Sequence, residues 1–178
     1  TALGGEPRFR SVAAAAEATT LPDASMELVV AAQAFHWFDM DAARAEFARI
    51  LRPGGKVAVV FNNRRDRSTP FLVEYEELMH RFATDYAKVD HRKVDRGRLL
   101  GFYGGGFEVR AFPHAQELDW EGLRGRLLSA SYAPAAGHPN HQPMMEALAR
   151  LFAEHADEGR VRIDYDAEIY VGELSPRV

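Results

Sequence analysis

Cysteine is absent from the sequence, and with it go disulfides, thiolate nucleophiles and cysteine-held metal. The lack suits a reducing cytoplasm, the expected location. No apolar run nears the ~18 residues that a membrane-spanning helix needs, so no membrane partner is expected. A long basic tract is missing too: 22 Lys and Arg are interspersed with 26 Asp and Glu, for a net charge of −4. Nothing in that balance calls for nucleic acid. Thr1 to Arg10 lack both an initiating methionine and the charged-then-apolar layout of a signal peptide. The chain is therefore expected to begin partway through a longer one. What it does have is 178 residues, 47% of them apolar and 11% aromatic, enough for one domain with a real core.

The pattern along the chain is that of a mixed α/β sheet. Phe9 to Ala16 reads as a strand, with helix left open by the run Ala13 to Ala16. Met26 to Phe35 is nearly continuous in apolar residues, as in a strand buried on both faces. Ala43, Phe47, Ile50 and Leu51 then recur at helical spacing, with Asp39 or Asp41 placed to cap. Arg52-Pro53-Gly54-Gly55 ends that helix, and Lys56 to Phe61 follows as a second buried strand. A strand–helix–turn–strand unit of this kind is a parallel crossover.

Thr69 and Pro70 start a helix expected to reach about Tyr86, its apolar face formed by Phe71, Leu72, Tyr75, Leu78, Met79 and Phe82. Ala87 to Arg98 is basic and weakly patterned, hence a loop. A strand is expected over Phe107 to Phe112, a short helix capped by Asp119 through Leu128, and a longer helix from Asn140 to Ala156. The last strand alternates plainly: Val161, Ile163, Tyr165, Ala167, Ile169 and Val171 against Arg162, Asp164, Asp166 and Glu168. The expectation is a single domain over 1–178, with helical insertions at 63–106 and 119–158 forming a cap.

Two segments carry a resemblance. The stretch Ala16-Glu17-Ala18-Thr19-Thr20-Leu21-Pro22-Asp23-Ala24-Ser25 leads into Met26 to Phe35 and then His36-Trp37-Phe38-Asp39. Arg52-Pro53-Gly54-Gly55-Lys56 follows thirteen residues later. In this order and spacing they resemble the middle of class I S-adenosylmethionine-dependent methyltransferases, in the small-molecule branch with trans-aconitate and ubiquinone-biosynthesis enzymes. The resemblance implies a Rossmann-like sheet, with Arg8 to Ala16 as its third strand. It also implies an acidic-x-Gly-x-Gly loop and a ribose-binding acid that this chain lacks. Gly4-Gly5, Gly54-Gly55 and Gly104 to Gly106 are its glycine clusters, and none follows a strand and opens a helix. The expected architecture is thus an N-terminally truncated methyltransferase sheet with a helical cap.

The implied function is methyl transfer from S-adenosylmethionine, leaving S-adenosylhomocysteine, to a small-molecule acceptor. The alternative is a non-catalytic module acting by dimerisation or partner binding. Losing the strands ahead of it would leave Met26 to Phe35 as an apolar edge, expected to pair into a homodimer or to aggregate. By the family's order Ala16, Glu17 and Ala18 border the adenine. Ala32 and Gln33 lie where a strand ends, the place where open α/β sheets bind ligands. Trp37 offers an aromatic face to a sulfonium, and Phe38 walls the acceptor site. His36 is the candidate base, against a structural role bonding the backbone. Tyr132, with Ser129 and Ser131 nearby, reaches the acceptor from the cap. The basic cluster His91, Arg92, Lys93, Arg96 and Arg98 is a solvated face or an attractor of anions. His138-Pro139-Asn140-His141 lacks the further ligands of a metal site, and no metal is expected.

Overall fold

A computed structural model describes residues 5–84, 86 and 96–175. Its strands are β1 (Met26–Ala32), β2 (Leu51–Arg64), β3 (Glu108–Leu118) and β4 (Val161–Gly172). Its helices are α1 (Met40–Ile50), α2 (Pro70–Phe82), α3 (Arg96–Tyr103), α4 (Trp120–Leu128) and α5 (His141–His155), with a 3-10 turn at Phe35–Trp37. The strands form one sheet in the order β1-β2-β4-β3, with β1 and β2 parallel. The fold is mixed α/β, as expected. Two compact units emerge. The first gathers residues 5–60, 96–110 and 169–175, the second residues 61–84, 86 and 111–168.

In the first unit, β1, α1 and β2 make the crossover. Val29 to Ala32 pair with Val57 to Val60, and the register is irregular between Met26 and Leu28. Asp39 caps α1, its Oδ1 accepting from the amides of Asp41 and Ala42 at 3.1 Å. Ala43, Phe47 and Ile50 are buried along one helical face, which is why those spacings were legible. Phe35 meets Phe102 edge-to-face at 4.8 Å, and Phe47 meets Phe102 at 6.2 Å. Tyr103 is fully buried, and its hydroxyl donates to the Tyr170 carbonyl at 2.8 Å with that of Val57 at 3.2 Å.

Three expectations change here. Phe9 to Ala14 forms no strand and is exposed throughout. The alanine-rich stretch has weak strand propensity, and its Phe9 and Val12 are 42% and 40% exposed. Strand β1 ends at Ala32 and is not buried on both faces: Leu28 and Val30 are 51% and 56% exposed. Leu28, Val30 and Ala32 share one face of the strand by its two-residue period, and that face is the exposed one; among the described residues β1 lies at the edge of the sheet beside β2. The basic stretch is not all loop. Residues 87–95 lie outside the described residues, but Arg96 opens α3, whose Leu99, Phe102 and Tyr103 fall on one buried face.

The second unit has its own core. It draws Phe71, Leu72, Tyr75, Leu78 and Met79 from α2, and Leu123 and Leu127 from α4. Met144, Leu148 and Leu151 come from α5, and Val161, Ile163 and Tyr165 from β4. Thr69 caps α2, accepting from the Leu72 amide at 3.2 Å, and Asp119 caps α4 through the Gly122 amide at 2.8 Å. Helix α2 stops at Phe82 rather than Tyr86. Ala83 turns to extended backbone, and the Thr84 amide bonds to the Tyr132 carbonyl at 2.9 Å instead.

Candidate functional site

Ala16 and Glu17 form the tip of a tight turn closed by the Ala18 amide on the Ala15 carbonyl, at 3.1 Å. Glu17 then reaches across the unit, accepting from the Asp39 amide through Oε1 at 3.0 Å. That bond sets the Ala16–Ala18 turn beside the residues that follow the 3-10 turn. Gln33 closes β1, with its amide on the Val60 carbonyl at 2.9 Å and a left-handed φ of 52°. Thr20 also has a left-handed φ, 60°, which is rare for a β-branched residue and stored only where surroundings enforce it. The structure therefore brings together five of the sequence's candidates at the carboxyl end of β1: Glu17, Gln33, His36, Trp37 and Phe38. Ala16, Ala18 and Ala32 are their immediate neighbours.

Their environments differ. Trp37 is 66% exposed and lies against the His36 ring at 4.7 Å. Both ring nitrogens of His36 are buried. Phe38 is half-buried and packs edge-to-face on Phe35 at 6.2 Å and Phe47 at 6.0 Å, so one side of it belongs to the core. Ala32 and Gln33 are exposed.

The segment joining the turn to β1 is anchored by charge. Glu46, 8% exposed, accepts from the Thr19 amide at 2.8 Å and the Thr19 hydroxyl at 2.6 Å. Arg49 donates to the same carboxylate through Nε at 2.8 Å and Nη2 at 2.7 Å, and also pairs with Asp23. Bonds from Arg49 and then Thr19 hold the Glu46 carboxyl down from 4.5 to about 2. A lowered folded value stabilises above the unfolded one, and that stabilisation disappears as pH falls toward the folded one. The melting-temperature advantage of the wild type over Glu46→Gln is thus expected to be full above pH 4.5 and to shrink steadily toward pH 2. An advantage independent of pH over that window would show that the ionised carboxylate is not the anchor.

Tyr132 belongs to the second unit. It is half-buried, 4.9 Å from the Tyr86 ring. His141 faces the Pro134 carbonyl at 2.8 Å, and His138 Nδ1 accepts from the Asn140 amide at 3.1 Å, so both serve their own loop. A different group, Glu74, Glu154 and His155, brings potential ligand atoms within 4.8 Å of one another. Its His155–Glu74 contact at 3.1 Å is accounted for as a pair.

Sequence reasoning passed over a polar group in the second unit. Arg64 pairs with Glu76 and lies over the Tyr75 ring at 4.9 Å, while Arg126 lies over the Tyr165 ring at 5.1 Å. The available signal was the choice of tyrosine over phenylalanine at two positions of otherwise apolar faces. A buried phenol brings a hydroxyl that needs a partner.

The stretch that carries β1, its preceding turn and α1 is also where the chain is most like other proteins. Residues 2–59 match the Methyltransferase domain family. A methyltransferase-like protein of Schizosaccharomyces pombe is 27% identical over 96% of this chain and 67% of its own length. An uncharacterized methyltransferase of Mycobacterium tuberculosis is 43% identical, over 34% of this chain and 25% of its own length. The chain thus matches about two thirds of the first relative and a quarter of the second. A solved structure from Anaeromyxobacter dehalogenans, assigned as a type II methyltransferase, superposes with a TM-score of 0.63. It is 25% identical over 96% of this chain and 74% of that one. The sheet and its helices have the Rossmann-like architecture of class I methyltransferases. Among the described residues no helix is long and apolar enough to cross a membrane.

Proposed function

We propose that this chain takes part in methyl transfer from S-adenosylmethionine to a small-molecule acceptor, with the carboxyl end of β1 as the cofactor's side of the site. The observation that carries the reading is the Glu17–Asp39 bond. It gathers the Ala16–Ala18 turn, the end of a parallel strand and the His36–Phe38 turn, and such strand ends are where open α/β sheets bind ligands. The residues present suit the group. Ala32 and the backbone of Gln33 permit close approach, and the exposed Trp37 ring suits a cation. Ala16, Glu17, Ala18, Ala32, Gln33 and Trp37 would hold the cofactor, whose sulfonium supplies an activated methyl group.

The chain's own work is then to hold the two reactants in line and to keep water out. Glu17 positions its turn through the Asp39 amide. Phe38, fixed against Phe35 and Phe47, walls the acceptor side. His36 would accept a proton where the acceptor atom is a weak nucleophile. Activity in a cytoplasmic setting accords with the lack of cysteine.

The test is calorimetric titration of S-adenosylhomocysteine into the chain, with its intact mass recorded. Micromolar binding is expected, and in a parallel titration Trp37→Ala should weaken S-adenosylmethionine, which carries the sulfonium, about threefold, the worth of one exposed cation–π contact, while the uncharged thioether of S-adenosylhomocysteine should lose less. Gln33→Gly keeps the left-handed backbone and removes the side chain, so it separates the two contributions. A folded chain that does not bind would overturn the reading for this chain. A second reading, a module that pairs with another copy, draws on the exposed Leu28 and Val30 of edge strand β1. A monomer by sedimentation at high concentration would sink it.

A further inference from the structure

In the second unit two arginines lie over tyrosine rings, and among the described residues one carboxylate pairs with them. Arg64 and Glu76 are 11% and 12% exposed and pair with each other; Glu76 also accepts from Tyr86 at 2.9 Å and lies 3.3 Å from His80. Arg126 has no carboxylate partner among the described residues, only the Tyr165 ring. The two guanidiniums act on the same phenols: Tyr75 and Tyr165 each interact electrostatically with both. Three atoms in this group are buried without a hydrogen-bond partner: Arg64 Nε, Arg126 Nε and the Tyr165 hydroxyl.

Each of these atoms has a proton to donate. Leaving such donors unsatisfied costs about 1–3 kcal/mol apiece, and native proteins keep few of them without a reason. The phenols do not supply the missing negative charge, because burial pushes Tyr75 up to about 12 and raises Tyr165 as well. They stay neutral hydroxyls. The group is held by its neighbours. His114 stacks on the Tyr165 ring at 5.2 Å and 14°, and His114 is itself fixed by the Asn62 side chain at 2.8 Å.

What satisfies this arrangement is a ligand that brings acceptor atoms and one negative charge. A carboxylate has two in-plane oxygens, which suit an Nε donor together with a hydroxyl. Phosphate brings up to two charges and a tetrahedral shape to a place with one unneutralised cation and flat aromatic walls. We propose that Arg126, Tyr165 and Arg64 form a binding site for the carboxylate of a small, planar organic acid. The site stands on the second unit alone.

The probe is benzoate, titrated into the full chain by calorimetry beside its neutral amide, benzamide, and inorganic phosphate, with S-adenosylhomocysteine titrated into the same preparation. Benzoate is expected to bind at millimolar strength, with benzamide and phosphate at least about tenfold weaker. Arg126→Gln should lose about tenfold of the benzoate affinity, the worth of one charge-assisted bond. Arg126→Lys keeps the charge without the fork and should recover part of it. Tyr165→Phe keeps the ring and the core, so it remains a fair test if the arginine variants fold poorly, and it too should weaken benzoate. Benzamide equal to benzoate, phosphate tighter than benzoate, or unchanged binding in both Arg126→Gln and Tyr165→Phe would each overturn the site. S-adenosylhomocysteine binding without benzoate binding sinks this proposal alone. Benzoate binding without S-adenosylhomocysteine binding sinks the methyl-transfer reading and leaves the anion site standing.

Discussion

Glu76→Ala is expected to destabilise the second unit by about 3–5 kcal/mol, the usual result of stranding one half of a buried ion pair. The pair is the most enclosed in the described structure, at 11% and 12% exposure. Removing the carboxylate leaves the Arg64 guanidinium with the Tyr86 hydroxyl at 3.1 Å and the Tyr75 face at 4.9 Å. Neither carries negative charge, and the Arg64 Nε is already without an acceptor. Two further variants make the reasoning specific. Glu76→Gln keeps an acceptor and should lose less, and the double change Arg64→Met with Glu76→Leu should recover most of the loss, because it removes both desolvated charges together. Denaturant unfolding followed by circular dichroism gives all three values. A Glu76→Ala loss under about 1 kcal/mol, the range of exposed pairs, would mean that water reaches Arg64.

How much of this was legible in the sequence varies with what each residue answers to. Helix α1 was readable because Asp39 caps its own next turn and Phe47 and Ile50 answer to one buried face, both local facts. Thr69-Pro70 and Asp119 fixed the starts of α2 and α4 for the same reason. Helix α3 was hidden because its basic start masked the Leu99, Phe102 and Tyr103 spacing. The strand over Phe9 to Ala16 was read from its residues and again from family order, but Phe9 and Val12 stay 42% and 40% exposed and the alanines add little strand propensity. At the candidate site, the sequence placed Gln33, His36 and Trp37 by following the chain out of β1. The Glu17–Asp39 bond joins positions 22 apart, and no local pattern announces it. The Arg126–Tyr165 pairing is more distant still, and each partner alone reads as an ordinary solvated base or core aromatic.

Phe35→Ala is where stability and the candidate site meet. Phe35 is completely buried and opens the 3-10 turn that carries His36 and Trp37. Its ring meets Phe102 at 4.8 Å and Phe38 at 6.2 Å, both edge-to-face. Deleting it removes a large apolar surface and leaves a cavity against α3, at about 3–5 kcal/mol, or about 10 °C in melting temperature for a chain of this size. The loss should exceed that of Phe38→Ala, since Phe38 is only half-buried. The two should separate differently in function. With its anchor gone, the His36–Phe38 turn loses its fixed place beside Glu17, so Phe35→Ala should weaken S-adenosylhomocysteine binding even well below its own melting temperature. Phe35→Leu refills most of the volume and should restore both properties in part. Stability lost with cofactor-product affinity intact would instead mean that the turn is held by Glu17 and the Asp39 cap alone, and that the aromatic cluster of Phe35, Phe38, Phe47 and Phe102 serves only to hold the first unit together.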